Sequence, residues 1–166
     1  MNKTLILMIG VPASGKSTIA QRIFKEYFIP VVSSDSVREQ LYGDENIQGS
    51  PNAVFAEVYR QANAFLETAG VCIIDATNVN RQNRLQAIVQ TLPSEVVYIV
   101  ADTDIEFAMQ RNHLRERKVP PFVIERMDRQ LRKDPPNLDN VKGLKVFRYD
   151  SDELEDFLEE RFYDAH

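Results

Sequence analysis

The chain has two histidines and a single cysteine, and each scarcity closes off a class of function. One cysteine, Cys72, can form no internal disulfide, which makes a reducing compartment, the cytoplasm, the expected home. It lies in the apolar run VCIID, where a free thiol is expected as buried core and not as a nucleophile. With two histidines and no His/Cys cluster at metal-ligand spacing, neither a zinc centre nor a serine-type triad has support. His113 reads as a surface residue. No apolar run approaches the ~18 residues that span a bilayer, so no membrane segment is expected. The opening MNKTLILMIGVP contains a short apolar run, but it leads into a glycine-rich motif without a cleavage site. It reads as a buried strand and not as a signal peptide. Positive charge is also scarce overall: a formal net charge of −5 argues against coating nucleic acid through a broad basic surface.

That average hides a segregation. From Arg111 to Lys133 there are eight basic residues against three acidic ones, and from Asp150 to Asp164 eight acidic against one basic. The first run gives an acidic molecule one local site for polyanions; the second reads as a solvated helix face.

At 166 residues the chain is expected to be one domain, 1–166, with a core large enough to need no disulfide or metal. Apolar, β-branched runs at 4–9, 29–33, 71–75, 95–100 and 144–149 predict five strands. Helical spacing predicts helices over 15–27, 52–69, 80–91, 104–115 and 121–132, with a capped helix closing the chain. Continuous apolar strands alternating with helices predict an α/β fold, a parallel sheet covered on both faces. The polar segments 42–52 and 133–143 are expected to be mobile connections.

The firmest chemical signal is GVPASGKST, residues 10–18, which matches G-x-x-x-x-G-K-[ST] between a strand and a helix. Backbone amides and the positive helix end form an anion cradle across Gly10, Pro12, Ala13, Ser14, Gly15 and Thr18. Lys16 is placed for the β- and γ-phosphates and Ser17 for Mg²⁺. An NTP, ordinarily ATP, with Mg²⁺ is the expected ligand pair. Asp75, at the end of the third apolar run, is the candidate metal residue, acting through water, where ligands gather in open α/β sheets; the bland alternative has Asp75 or Thr77 capping the next helix.

On the acceptor side, SSDSVRE, residues 33–39, follows the second strand. Ser36 and Glu39 have capping-box spacing, and Asp35 and Arg38 share the first helical turn. If the second strand neighbours the P-loop strand, Asp35 faces the γ-phosphate as a base and Arg38 holds an anion of the acceptor. Arg111 and Arg115, four residues apart, are expected on one helix face, with Arg117 near its end, as a mobile lid over 111–121 that closes on phosphates.

IGVPASGKST, SSDSVR, IIDATNVNRQNR and QRNHLRERKVP together resemble, in order and spacing, the 5′-hydroxyl polynucleotide kinase domain of bacteriophage and bacterial end-healing kinases. The resemblance covers residues 4 to about 132. It implies a P-loop fold in which Lys16 and Ser17 bind donor nucleotide and metal and Asp35 is the general base for the 5′-hydroxyl. It also implies that Arg38 holds the acceptor's 3′-phosphate, that Arg115 is the lid arginine supported by Arg111, and that Val119 packs on the terminal base. The implied partners are 5′-hydroxyl ends of DNA or RNA, with a phosphatase or ligase supplied by another protein. Ala13 departs from the pattern, standing where the family commonly has glycine. Related P-loop kinases act on nucleosides, aminoacyl-tRNA or other small molecules, so that reading stands beside the first, with a nucleotide-binding switch as a third.

Overall fold

In the computed structural model, residues 2–163 are described; the expected domain ends, and Asp164 of the acidic run, lie outside them. The elements are β1 (Thr4–Ile9), α1 (Lys16–Tyr27), β2 (Val31–Ser33), α2 (Ser34–Tyr42), α3 (Pro51–Ala69), β3 (Val71–Asp75) and α4 (Arg81–Thr91). There follow β4 (Glu95–Val100), α5 (Ile105–Leu114), α6 (Pro121–Lys133), a 3₁₀ turn (Pro136–Leu138), β5 (Lys145–Arg148) and α7 (Asp152–Phe162). The five strands pair in the order β2-β3-β1-β4-β5, every pair parallel. This is the covered α/β sheet that the apolar runs predict. β1 and β3 are buried along their whole length, as strands covered on both faces must be.

The pleat divides the core in two. Leu5, Leu7 and Ile9 join Val54, Val58, Ala62 and Leu66 of α3, which recur every four residues and so form one helix face. Ile6 and Met8 point the other way, toward Ala20 and Ile23 of α1 and Leu154 and Leu158 of α7. Burying each such aliphatic side chain fully contributes about 1.5–3 kcal/mol. Cys72 is buried in the first of these cores, and burial pushes its thiol up to about 12, which makes it inert. Among the described residues no helix is long and apolar enough to cross a membrane.

Several expectations shift. β2 does not neighbour β1: β3 lies between them, pairing Ser33 with Asp75 on one side and Met8 with Asp75 on the other. The capping box at Ser36 and Glu39 is not the helix start. Ser33 caps α2, accepting from the Ser36 amide at 3.3 Å, because the strand runs straight into the helix and the first hydroxyl outside it takes the cap. Asp35 is thus already inside the first turn. The 133–143 connection is not a loose loop: Asp139 is buried within it and holds it to α4 and β4.

Candidate active site

The C-terminal ends of β1, β3 and β2 lie side by side, and the P-loop, Asp75 and Asp35 come from those three ends. A cleft of about 950 Å³ opens over them, lined by Lys16, Asp35, Arg38, Asp75, Arg111, Arg115 and Arg117 among others. Lys118 and Arg126 add to its rim, so seven cations face two carboxylates. Of the eight basic residues in the 111–133 run, Arg111, Arg115, Arg117, Lys118 and Arg126 line this cleft, while Arg132 lines a different cavity.

The P-loop owes its shape to close approach. A Cβ at Gly10 would stand 2.6 Å from Ser14 Oγ and 3.1 Å from Ala101 Cβ, so any larger residue would force Ser14 and Ala101 to shift. Ala13 takes a left-handed φ of 66°, a conformation that costs a non-glycine residue roughly 1–2 kcal/mol; the family's glycine at this position is thereby explained. Gly15, φ 99°, starts α1 without any side-chain cap, which leaves the helix's first amides for an anion. The loop is braced on both sides: the Gly10 amide donates to Thr77 O at 3.0 Å, and the Thr103 hydroxyl donates to Ser14 O at 2.7 Å.

Lys16 is buried beneath this loop. Burial lowers its pKa, while Asp75 and Asp35 pull it back up and Arg115 and Arg117 oppose them. All five groups therefore share one electrostatic site. Asp75 is 5% exposed; burial pushes its carboxyl up and Lys16 and the Ser17 hydroxyl pull it down. Its Oδ1 is buried without a hydrogen-bond partner. Asp75 does not cap α4, and neither does Thr77, because Asn80 does so by accepting from the Asn83 amide at 2.8 Å.

Asp35 stands on the first turn of α2, its side chain 40% exposed. Arg38 Nη1 donates to Oδ1 at 2.9 Å and Arg117 Nη1 to Oδ2 at 2.9 Å. Arg38 keeps a buried Nε without a partner. The i,i+3 pairing expected of Asp35 and Arg38 is thus formed, as an ion pair.

The lid differs from its expected form. α5 stops at Leu114 and Arg115 is its cap, in extended backbone with φ −80° and ψ 148°, so Arg111 and Arg115 do not share a helix face. Arg111 stays on the helix, its guanidinium 5.8 Å from the Phe107 ring centroid and Nη1 3.0 Å from where a Gly15 Cβ would stand. From 115 to 119 burial alternates: Arg115, Arg117 and Val119 are half-buried, Glu116 and Lys118 exposed. Asn112 clasps this strap, its Nδ2 donating to Val119 O at 2.7 Å and its Oδ1 accepting from the Val119 amide at 2.9 Å. Val119 lines the cleft but also packs on the small core of Val11, Val79, Ala108 and Ile124. His113 is exposed, as expected.

The reach of Arg117 to Asp35, and the parts played by Asn112 and Phe122, escape a reading by motif. Arg117 is the strap arginine that reaches Asp35; its signal is a period of two before Pro120-Pro121, since residues preceding proline are biased to extended backbone. Asn112 and Phe122, the latter 63% exposed at the cleft, carry no local sequence signal.

A family model described as an AAA domain matches residues 5–134. No curated protein matches the chain at a significant level. Among solved structures, a chain of the "Pnkp1/Rnl/Hen1 RNA repair complex" is 24% identical with a TM-score of 0.73, over 83% of this chain and 47% of its own. The present chain thus spans about half the length of that relative. An unliganded sugar kinase from Janibacter sp. HTCC2649 is 19% identical with a TM-score of 0.62, over 97% of this chain and 92% of its own. A gluconokinase from Sinorhizobium meliloti 1021 is 14% identical with a TM-score of 0.61, over 99% and 98%. At these identities the likeness is one of fold.

Proposed function

The chain belongs to the AAA domain family, and from that premise we propose that it is a phosphotransferase, an ATP-dependent kinase of polynucleotide 5′-hydroxyl ends, with 1–166 as one kinase domain. The observation that carries this reading is Asp35, a carboxylate held by two arginines in the same cleft as Lys16 and Asp75. A protein that only hydrolysed or sensed nucleotide would have no use for a second, oriented carboxylate on the acceptor side.

Lys16 and the amides at the start of α1 hold the donor phosphates, with Arg111 and Arg115 closing over them. The residues present fit a hard cation: the partnerless buried Oδ1 of Asp75 and the Ser17 hydroxyl are oxygen ligands, directly or through water. Bound there, Mg²⁺ would neutralise charge on the β- and γ-phosphates.

In the transfer the acceptor oxygen forms its bond to the γ-phosphorus as the bond to the bridging oxygen breaks. The hydroxyl proton passes to Asp35, and the nucleoside diphosphate leaves. In this reading Arg38 holds an acceptor phosphate and Val119 borders its terminal base. The nucleic-acid choice rests on the rim: an exposed Phe122 beside Arg117, Lys118 and Arg126 suits a base stacked next to its own phosphates. An end-reading enzyme needs only a few such contacts, which is compatible with the acidic whole. DNA and RNA ends both fit.

A second reading, a small-molecule kinase, is favoured by the nearly full-length likeness to a sugar kinase and a gluconokinase. Labelled ATP with a panel of 5′-hydroxyl oligonucleotides, nucleosides and sugar acids separates the two. Label on the oligonucleotides is expected; label on small acceptors alone would sink the first reading. Asp35→Asn is expected to lower transfer at least about 100-fold while nucleotide affinity stays within about threefold.

A further inference from the structure

We infer that Arg117 is the positioning residue of the acceptor-side carboxylate, Asp35. This rests on the reading of Asp35 as the acceptor-side base.

Arg117 joins three segments that are otherwise separate walls of the cleft. From the strap, its Nη1 donates to Asp35 Oδ2 on α2 at 2.9 Å. Its Nε donates to Asn46 Oδ1 at 2.7 Å, in the connection between α2 and α3, with Glu45 Oε1 3.7 Å away. The side chain is only 20% exposed, so these bonds form in a partly desolvated place where they count for more than at an open surface.

Arg38 alone does not fix Asp35. It sits three residues on in the same helix, and such a pair contributes little by itself and lets the carboxylate turn about its own side-chain bonds. A second guanidinium on the other oxygen, delivered from a different element, removes that rotation. The planar fork matters: Nη1 and Nε reach two acceptors at once, which a lysine ammonium on a flexible stem does not reproduce in fixed geometry. The strap that presents the fork is itself held, since Asn112 bonds both the amide and the carbonyl of Val119.

Because Arg117 ties Asn46 and Asp35 to the strap, the 43–50 connection and the strap form one unit.

Arg117→Ala and Arg117→Lys test this in the full chain by steady-state transfer to a 5′-hydroxyl oligonucleotide, by affinity for a fluorescent ATP analogue, and by amide hydrogen exchange. Arg117→Ala is expected to lower kcat about 30-fold or more at saturating acceptor, with nucleotide affinity within about twofold. Arg117→Lys is expected to recover less than about a tenth of that loss. Exchange should rise across 43–50 and the strap in Arg117→Ala, with α3 unchanged. A kcat within about threefold of the parent, or a fall in nucleotide affinity parallel to kcat, overturns the assignment; so does full rescue by lysine. If the parent protein phosphorylates no 5′-hydroxyl oligonucleotide, the functional reading fails instead. The exchange measurement needs no turnover, and unchanged exchange at 43–50 in Arg117→Ala then overturns the bridge on its own.

Discussion

Glu95 shows how much a single side chain decides in this protein outside the cleft. It opens β4 and accepts from Arg161 of α7 at 2.8 Å, with Lys145 of β5 on its other oxygen. The Arg161 hydrogen bond, against a desolvation cost, holds its carboxyl down at about 2, below the ordinary 4.5. Because the folded value is depressed, the stability it contributes is present above about pH 4.5 and is lost as pH falls through about 2. The group is partly solvated, so about 1 kcal/mol is the fair size of the effect. Glu95→Gln is expected to lose that amount in urea unfolding at pH 7 and to match the parent below pH 2. At this scale the geometry of the P-loop was legible: Lys16 and Ser17 lie where strand, glycine turn and helix put them, because that geometry is local. The pairing of Asp35 with Arg38 was legible, but not its second partner, since Arg117 is 82 positions away.

Among the elements, the strap from Arg115 to Val119 is the one whose form a helical reading misplaces. Four-residue spacing suggests that α5 continues through Arg115, yet Pro120 and Pro121 draw the preceding chain toward extended backbone. Asn112, 4% exposed, then takes the place of a neighbouring strand by bonding both sides of the Val119 backbone. Removing it leaves those partly buried groups unpaired, at a cost of about 1–3 kcal/mol. Asn112→Ala is expected to lose that stability in denaturant unfolding and to speed amide exchange over 115–119. It should also raise KM for the acceptor, while α1 and the P-loop keep their protection; unchanged exchange in the strap would refute the clasp. The start of α2 carries a similar lesson. Two serines and a glutamate offer more than one cap, and the choice of Ser33 depends on where β2 ends, which its pairing with β3 sets.

For the whole molecule, the connection from α6 to β5 is pinned by a buried ion pair that no pattern of spacing announces. Arg84 and Asp139 are fully buried side chains bonded at 2.7 and 3.0 Å. Tyr98 donates to Asp139 at 2.8 Å, and Arg84 reaches the carbonyls of Asn78 and Asp134. Burial raises the Asp139 carboxyl, but the Arg84 and Tyr98 hydrogen bonds outweigh it and hold it below its ordinary value. Asp139→Ala strands a buried guanidinium and is expected to cost about 3–5 kcal/mol, read as a lowered urea midpoint. A shift near zero would mean that the pair is solvated in solution. Strand and helix types, the covered sheet and the phosphate loop were determined by the sequence itself, because hydrophobic period and glycine spacing act over a few residues. The strand order that inserts β3 between β2 and β1, the meeting of Arg117 with Asp35, and the anchoring of Asp139 were decided only by the tertiary structure. Each joins residues far apart in the chain, and no local preference encodes which distant partner a buried charge will find.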